Sequence, residues 1–371
     1  MTVSTIKVAL ATGSKNDGEW SEVASIPLPQ INDDQILIKS VAFAVNPTDW
    51  KHLFLGLSPK GVIIGSDVSG IVERVGANVT KFAKGDYVSG FIHGESSFTQ
   101  GAFGEYSILN PGTAIKYDSS KFTSEKLSVG DHPSDKINTF EGAASVSLGL
   151  VTVALSFGHS LKIDTNKESH KGKSILIWGG ATATGVLAIQ VAKLVYGLEV
   201  IATASSKNHK FLQDLGADAV FDYKDPNVVS DIKSYAKGSI HYALDTVASA
   251  TTYQATYDAT EGADSVGIDN LLTLNGSVIE TKKDRKVHFG QSLAYTALGE
   301  SINLGMGVIE STPELQKDFA HFWEKVLPPY ISEIKTSNLK VLTPGLASTN
   351  EALDLLKQDK VSGEKVVFRL E

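Results

Sequence analysis

The sequence predicts an α/β protein of two domains, one rich in β-strands and one built on a parallel sheet. At 371 residues, the chain is longer than a single hydrophobic core usually serves. Short strand patterns fill its first third, and strands alternate with helices from about Gly149 onward. We therefore predict a first domain of residues 1–148 and 309–371, interrupted by a second domain of residues 149–308.

The first third of the chain carries the strand patterns. Apolar or alternating runs lie over Gln35–Asn46, Val68–Gly76 and Lys84–Ile92, and Gly, Asn, Asp or Pro separate them. Many short strands with such turn signals are typical of a barrel or a sandwich. We expect the last strand pattern of the chain, Lys365–Leu370, to return to this domain.

The middle of the chain repeats a strand followed by a helix. The strand pattern "SILIWGG" precedes the helical pattern "TGVLAIQVAKLVYG", and "EVIATAS" precedes "KNHKFLQDLG". The patterns "AVFDY" and "YALDTV" each precede a further helix, and "GSVIET" at residues 276–281 closes the series. This alternation predicts a doubly wound parallel sheet with helices on both faces. A further helix is expected to begin near Pro313.

Composition narrows the classes of function. The net charge of −8 provides no overall basic field, so we expect neither nucleic acid nor membrane as a partner. The absence of cysteine excludes disulfides, thiolate catalysis and zinc sites made of cysteine. No signal peptide is predicted, and the most apolar stretch, from Ala144, is expected to be too short and too rich in Ser and Thr to span a bilayer. We therefore expect a cytoplasmic protein.

A glycine-bearing turn joins the first strand of the series to its helix. From Gly180 to Gly185 it reads Gly-Ala-Thr-Ala-Thr-Gly. The dinucleotide fingerprint has glycine at its first, third and sixth places, and here Thr182 stands at the third. We still expect a pyrophosphate site, because the Thr182 hydroxyl can donate to a phosphate and the helix N-terminus offers free N–H groups. The alternative is a plain strand-to-helix turn in which small residues serve packing.

The end of the next strand indicates which dinucleotide would bind. An NAD site has Asp or Glu about 20 residues after the fingerprint, where it accepts from the ribose 2′-hydroxyl. Here Ser205 lies 20 positions after Gly185, and Ser206 and Lys207 follow it. Hydroxyls and a lysine suit a phosphate monoester, so the sequence favours NADPH over NADH. The alternative is a solvated loop with an incidental lysine.

Three stretches together resemble the medium-chain dehydrogenase/reductase family, and the resemblance covers nearly the whole chain. They are "VNPTDWK" at residues 45–51, "GSDVSGIVERVGANVTKFAKGDYV" at residues 65–88 and "GGATATGVLAIQVAK" at residues 179–193. The last resembles the cofactor turn of fungal trans-enoyl reductases and related yeast reductases. The resemblance implies a GroES-like β-barrel catalytic domain and a Rossmann cofactor domain that binds NADPH.

The resemblance also implies a metal-free member of the family. The zinc-dependent alcohol dehydrogenases carry Cys where this chain has Asn46, and Gly-His-Glu where it has Gly65-Ser66-Asp67. Serine is a poor zinc ligand, and one carboxylate alone cannot hold the ion. The nine histidines show no ligand spacing. We therefore predict that no metal is bound.

Without a metal, the negative charge that hydride transfer leaves must be stabilised in another way. Hydride addition to an enone, enal, enoyl thioester or quinone gives a delocalised anion, whereas an isolated carbonyl gives a localised alkoxide. We predict a zinc-independent, NADPH-dependent reductase of an activated double bond, with a small-molecule enone or carbonyl substrate. An aldehyde reductase is the nearest alternative, and an NADPH-binding protein with little catalysis is the alternative from another class. A monomer or a homodimer is expected.

The candidates for catalysis lie in "NPTDWK". Lys51 can donate a hydrogen bond or a proton to the developing enolate, and Thr48 is the second candidate. By resemblance, the segment lines the cofactor pocket, which makes Asp49 and Trp50 cofactor-binding residues. Two alternatives remain: Asp49 caps a helix that starts at Trp50, and Lys51 points to solvent.

Further binding residues carry over from the family by position. The resemblance assigns the pyrophosphate turn to Gly180, Ala181, Thr182, Ala183, Thr184 and Gly185, and the 2′-phosphate loop to Ser205, Ser206, Lys207 and Asn208, with Tyr223 closing over that phosphate. It assigns a substrate-lining helix to Val146, Leu148, Gly149 and Val153, and a distal cofactor contact to Val361 and Ser362. Residues 261–270, "EGADSVGIDN", do not align with the family, which leaves the cofactor contacts near Leu274 open.

Overall fold

A computed structural model describes residues 4–123, 125–303 and 308–371. Its strands, in chain order and within these residues, are β1 (Thr5–Ala11), β2 (Ser21–Pro27), β3 (Ile36–Ala44), β4 (Asp67–Val75), β5 (Tyr87–Phe91), β6 (Tyr106–Leu109), β7 (Ile115–Tyr117), β8 (Gly130–His132), β9 (Ser174–Trp178), β10 (Glu199–Thr203), β11 (Ala219–Phe221), β12 (Ile240–Asp245), β13 (Val266–Asn270), β14 (Val287–Phe289), β15 (Ile302–Asn303), β16 (Val308–Ile309), β17 (Asn338–Val341) and β18 (Glu364–Arg369). The α-helices are α1 (Pro47–Leu55), α2 (Phe140–Ala144), α3 (Ser147–Ala154), α4 (Ala183–Val191), α5 (His209–Asp214), α6 (Val228–Ala236), α7 (Ala250–Ala259), α8 (Pro313–His321) and α9 (Thr349–Lys357). Helices α3, α4 and α8 continue into π-helical turns over Leu155–Ser160, Ala192–Tyr196 and Phe322–Val326.

Contacts divide the chain into two compact units. One comprises Met1–Leu148 with Thr336–Glu371, and the other comprises Gly149–Lys335. The sequence analysis draws the second boundary at residue 309, whereas residues 309–335 lie with the second unit.

Polar side-chain contacts of α8 give the reason for this difference. Asp318 pairs with His159 at 2.8 Å, and Glu314 pairs with Lys162 at 2.6 Å. Both partners lie at or just beyond the π-helical end of α3, so α8 packs within the second unit.

One sheet organises the first unit. Its strands follow the order β7-β5-β4-β3-β18-β17-β8, and β6 pairs with β3. The strands predicted at residues 35–46, 68–76 and 84–92 correspond to β3, β4 and β5. The last strand, β18, pairs antiparallel with β3, with Val367 opposite Ala44. The predicted return of the chain end to the first domain is therefore confirmed.

The core of this unit joins distant parts of the sequence. The rings of Phe43, Phe103 and Phe368 are fully buried, and their centroids lie between 5.1 and 5.5 Å apart. Aromatic side chains at these separations bury large apolar areas and favour tilted or edge-to-face packing. They fix β18 against β3.

A parallel sheet organises the second unit. Its order is β11-β10-β9-β12-β13-β14, and all of its pairings are parallel. Counted along the chain, this is the 3-2-1-4-5-6 order of Rossmann folds. The strand order reverses between β9 and β12, so the carboxyl end of β9 lies at the switch point where such sheets bind ligands.

The end of the strand series differs from the prediction. The sequence analysis expects a strand over residues 276–281, where the structure has a 3₁₀ turn over Gly276–Val278. The fifth strand is β13 instead, within the stretch that does not align with the family. Burial explains the difference, because Val266 and Ile268 are buried whereas Val278 is 43% exposed.

One helical segment, Phe140–Ser160, is long and apolar enough by length and composition alone to cross a membrane. The expectation that this stretch is too short is therefore wrong, because the segment begins at Phe140 rather than at Ala144. Of its most apolar window, 94% is buried inside the protein. Such burial is that of a core helix.

Candidate active site

Glycines build the turn after β9. Gly179 adopts a φ of +80°, in the left-handed region that favours glycine. Gly180 N donates to Thr203 O at 2.8 Å, which holds the turn against β10. A Cβ on Gly185 would lie 2.4 Å from Gly179 O, so α4 can start this close to the strand only with glycine there. The sequence analysis began its fingerprint at Gly180 and missed the turn-forming role of Gly179.

Thr182 caps α4. Its Oγ1 accepts from Gly185 N and donates to Thr246 Oγ1, each at 2.9 Å. Thr246 Oγ1 in turn donates to Trp178 O at 2.8 Å. The Thr182 hydroxyl thus has its proton on Thr246 inside the turn, and its donation to a phosphate stays a prediction.

The first turn of α4 offers free backbone donors. Among the described residues, the N–H groups of Ala183 and Thr184 have no hydrogen-bond partner, and Ala181, Ala183 and Thr184 are half-buried. Such N–H groups at the positive end of a helix dipole suit a phosphate. The turn thus provides what the predicted pyrophosphate site requires.

A loop at residues 205–208, the serine–lysine loop, follows β10. Ser206 N donates to the carboxylate of Asp222 at 3.3 Å, which holds the loop backbone. The side chains of Ser206 and Lys207 are exposed. The loop therefore presents a hydroxyl and an ammonium to solvent, as a 2′-phosphate site requires.

Two predicted neighbours of that phosphate differ in exposure. Asn208 is buried, and its Nδ2 donates to Ser205 Oγ at 3.3 Å, so it supports the loop from inside. Tyr223 is 48% exposed, and Lys224 Nζ lies 5.8 Å from its ring centroid. Lys224 is a second cation near this position along the chain, and the sequence analysis did not single it out.

Asp49 lies in the first turn of α1, which begins at Pro47. Its side chain is fully buried, and its two oxygens accept from Asn46 N and Ser66 Oγ, each at 2.7 Å. Burial raises the pKa of Asp49 to about 7 against the opposing effect of these hydrogen bonds. Asp49 thus takes part in capping α1, but from its N3 position: the helix starts at Pro47 with Asn46 as its N-cap residue, not at Trp50. Both of its oxygens face protein groups, and its contact with a cofactor stays a prediction.

Thr48 and Lys51 lie on the same helix in different environments. The Oγ1 atom of Thr48 is buried and has no hydrogen-bond partner among the described residues. An unpaired buried hydroxyl costs about 1–3 kcal/mol, which a ligand oxygen at this position would offset. Lys51 is exposed, with Nζ 5.9 Å from the ring centroid of Trp50, as its solvent-facing interpretation requires.

Core packing accounts for most of the predicted substrate-lining helix. Val146 and Val153 are fully buried, and their assignment to a substrate site stays a prediction. A Cβ on Gly149 would lie 2.6 Å from Leu187 Cδ1, so this glycine permits close packing on α4. Leu148 is half-buried and stays a candidate.

A cluster of buried polar side chains lies inside the first unit. This polar cluster consists of Asn46, Asp49, Ser66, Asp67 and Lys365. Lys365 is 4% exposed, and its Nζ donates to Asn46 Oδ1 and lies 3.4 Å from Asp67 Oδ2. Asn46 Nδ2 donates to the same Asp67 oxygen at 2.9 Å.

No local sequence signal marks Lys365. Its partners Asn46 and Asp67 lie 319 and 298 positions away. Val361 and Ser362, predicted to make a distal cofactor contact, lie just before Lys365. Val361 packs on the core of the first unit, and Ser362 is exposed.

Glu95 is a further buried acid, in addition to Asp49 and Asp67, and the sequence analysis also missed it. Its Oε1 accepts from Gly65 N at 2.5 Å, and its Oε2 lies 3.8 Å from His52 Nδ1. Burial, together with the charge of Asp49, raises the pKa of Glu95 well above its usual range. Burial lowers the pKa of His52 to about 4, so this histidine is neutral at pH 7.

Asn270, at the end of β13, organises the segment around Leu274. Its Oδ1 accepts from Leu272 N at 3.0 Å and from Leu274 N at 3.3 Å. Its Nδ2 donates to the carbonyl oxygens of Leu274 and Gly290, each at 2.9 Å. One amide side chain thus fixes this loop at the carboxyl edge of the parallel sheet, where Rossmann folds bind ligands.

Zinc-dependent alcohol dehydrogenases carry zinc ligands at positions 46, 66 and 67. The residues of this chain at those positions do not suit zinc. Asn46 and Ser66 offer an amide and a hydroxyl, and Asp67 is already paired with the Lys365 ammonium. Zinc sites in proteins use thiolate, imidazole and free carboxylate ligands. Among the described residues, no group of three or more His, Cys, Asp or Glu side chains could hold a metal ion.

Comparisons with known proteins agree with this architecture. The family described as Alcohol dehydrogenase GroES-like domain matches residues 32–119, and the family described as Zinc-binding dehydrogenase matches residues 183–267. The chain is similar to the solved quinone oxidoreductase of Coxiella burnetii, with a TM-score of 0.66, 24% identity and coverage of 99% of this chain and 100% of the other. An alcohol dehydrogenase superfamily protein of Novosphingobium aromaticivorans has a TM-score of 0.74, 18% identity and coverage of 99% and 100%.

Two fungal relatives match at higher identity. The protein YNL134C of Saccharomyces cerevisiae is 34% identical, over 92% of this chain and 93% of its own length. The trans-enoyl reductase ACTTS2 of Alternaria alternata is 35% identical, over 94% and 96%. The GroES-like and Rossmann units with a glycine turn at the switch point define a nicotinamide-dependent oxidoreductase. The chain belongs to the medium-chain dehydrogenase/reductase family.

Proposed function

We propose that the protein is an NADPH-dependent, zinc-independent reductase that transfers hydride to the activated double bond of an enone, enal, enoyl thioester or quinone. The polar cluster carries this proposal, because an amide, a hydroxyl and an already paired carboxylate supply no Lewis acid. An acceptor that delocalises its own negative charge is then the easier substrate. The name of the Alternaria relative, a trans-enoyl reductase, supports the same class of acceptor.

The serine–lysine loop supports NADPH as the cofactor. Its exposed Ser206 and Lys207 present a donor and a positive charge, and no Asp or Glu stands at the position of Ser205. The nearby Asp222 carboxylate is bound to loop and turn N–H groups of Ser206 and Lys224, so it shapes the backbone. The first turn of α4 would hold the pyrophosphate through the N–H groups of Ala183 and Thr184.

Two side chains of α1 are assigned to the chemistry. The bound cofactor supplies the hydride. The unpaired Thr48 hydroxyl would donate to the substrate oxygen as negative charge develops there. Lys51, exposed and next to Trp50, would supply the proton that completes the reduction. We also propose a small-molecule substrate and a cytoplasmic location, which the sequence features support.

A matched pair of substrates tests the proposal. We expect the protein to oxidise NADPH with crotonaldehyde and to form butanal, because hydride adds to the β-carbon and the enolate then takes up a proton. Saturated butanal should react far more slowly, and treatment with a chelator should leave the rate unchanged. Absorbance at the nicotinamide band and chromatography of the products measure both effects. Crotyl alcohol as the product would identify an aldehyde reductase, and no turnover with enones, quinones or aldehydes would favour a binding protein.

A further inference from the structure

Lys365 is a buried cation in an apolar strand. The residues that follow it in β18, Val366, Val367 and Phe368, are all buried. Burying an ammonium is costly even when it is paired, and an apolar side chain in such a place is often as stable or more stable. Fold stability alone therefore does not explain a lysine at this position.

The contacts of Lys365 lead to the first turns of two helices. Asn46, which receives its hydrogen bond, is the N-cap residue of α1. Asp67, 3.4 Å from its Nζ, accepts with its other oxygen from Leu148 N at 2.8 Å, in the first turn of α3. One ammonium thus contacts the groups that begin both helices.

The positive charge of Lys365 offsets the negative charges of the polar cluster. Burial raises the pKa of Asp67, and the positive charge of Lys365 opposes that rise. Lys365 likewise lowers the pKa of Asp49, whereas Asp67 raises it. Carboxylates near helix N-termini are favourable, but two of them close together in a buried space repel each other unless a cation lies nearby.

We infer that Lys365 is a positioning residue of the active site, whose ammonium holds the N-cap residue of α1, Asn46, and the Asp67 carboxylate that accepts from Leu148 N. Thr48 and Lys51 lie on α1, and Leu148 lies on α3. The inference rests on the proposed function in assigning these three residues to the site. The link between the two helices is independent of that assignment.

Amide hydrogen exchange tests the link without any turnover. Lys365→Met keeps most of the length of the unbranched side chain and removes its charge. We expect exchange at Leu148 and Asn46 to accelerate by at least about tenfold relative to the amides of β10. Asp67, which accepts from Leu148 N, loses its cation, and Asn46 loses the donor to its side-chain oxygen. Lys340→Met is the matched control, since Lys340 lies on the adjacent β17 and pairs with the exposed Asp131 at 2.5 Å. It should leave both amides unchanged.

A double variant separates positioning from mere stability. Lys365→Met/Asp67→Asn removes both the cation and the carboxylate that it pairs with, so no unpaired charge remains at position 67. If the single variant is destabilised, the double variant should recover stability. In this variant we expect the kcat with crotonaldehyde to stay reduced by about tenfold or more, while the Kd for NADPH changes less than about twofold.

Wild-type kcat in the double variant would overturn the inference. Equal acceleration of exchange at Leu148, Asn46 and the β10 amides in the single variant would overturn it as well. Absence of turnover in the wild-type protein would refute the proposed function and leave the exchange result to decide the role of Lys365.

Discussion

The cofactor turn with its serine–lysine loop differs from the polar cluster in where its polar and charged groups lie and in how far apart they are in the sequence. The first region lies within residues 179–208, keeps its donors at or near the surface and uses the backbone for most of its geometry. The second region joins Asn46 to Lys365 across 319 positions and has charged groups buried among apolar residues. The difference shows that residues close together in the sequence can form an exposed site for a dissociable anionic ligand. A buried lysine, in contrast, is held by partners from distant parts of the sequence.

The two regions also differ in what their charges do to folding. Lys207 is exposed, so its charge is solvated before any ligand arrives. Lys365 and Asp67 are almost fully excluded from water, with side chains 5% and 0% exposed. Buried ion pairs contribute little net stability, but loss of one partner leaves an uncompensated charge. Substitutions in the polar cluster should therefore change stability and its pH dependence, whereas those in the loop should change binding.

Asp49→Asn is expected to have the largest effect. The pKa of Asp49 is about 7 in the folded protein and near 3.8 when unfolded. Between these values the folded state keeps a proton that the unfolded state has released, so stability falls as pH rises from about 4 to about 7. The difference corresponds to roughly 2–4 kcal/mol for Asp49 alone. Asparagine cannot ionise, so the variant should lose less stability than the wild type between about pH 4 and about pH 7.

Urea unfolding at several pH values measures this slope. Part of it should persist in the variant, because burial also raises the pKa values of Glu95 and Asp67. Asp118→Asn is the control, since Asp118 is exposed and hydrogen bonds from Ser120 lower its pKa. Its contribution is lost only as pH falls below about 4. Parallel stability curves for Asp49→Asn and the wild type would show that Asp49 is ionised throughout this range.

Lys207→Ala should give the next largest effect, on binding rather than on folding. A charge-assisted hydrogen bond to a 2′-phosphate is worth about 1.5–3 kcal/mol, so the Kd for NADPH should rise by roughly tenfold to a hundredfold. The Kd for NADH should change little, because NADH lacks that phosphate. Titration of nicotinamide fluorescence measures both constants.

Lys210→Ala provides the matched control for that experiment. Lys210 lies three positions along the chain, is exposed and pairs with Asp214 one turn further on. Its loss should leave both cofactor affinities near those of the wild type. Equal weakening of NADPH and NADH by Lys207→Ala would assign Lys207 to the shared part of the dinucleotide.

The sequence predicts the local region well and the distributed one poorly. Gly185 and Lys207 stand at fixed distances from a strand pattern, so short-range spacing is enough to place them on a turn and a loop. Even so, spacing could not indicate that the Thr182 hydroxyl donates to Thr246, 64 positions away. The order of strands and helices could be predicted for the same reason as the turn, because each element has a hydrophobic pattern within about ten to twenty residues.

Lys365 and Asp49 show why the remainder could not be predicted. A lysine in a terminal strand is usually exposed, and its burial depends on Asn46 and Asp67 from other strands and turns. The resemblance assigned Asp49 to the cofactor together with its whole segment, whereas hydrogen bonds from Asn46 and Ser66 turn both of its oxygens inward. Sequence position fixes where a helix begins, but the partners that its buried acids find depend on tertiary packing.

Thr182→Ala should have the smallest effect and separates capping from binding within the cofactor turn. Loss of the N-cap oxygen should destabilise the protein by about 1 kcal/mol, because the N–H of Gly185 loses its acceptor. The Kd for NADPH should change less than about threefold, because the backbone N–H groups of the turn hold the phosphate. Thr182→Ser keeps the hydroxyl and should match the wild type in both respects. A tenfold loss of NADPH affinity in Thr182→Ala without a change in unfolding free energy would mean that the hydroxyl leaves Thr246 and binds the phosphate itself.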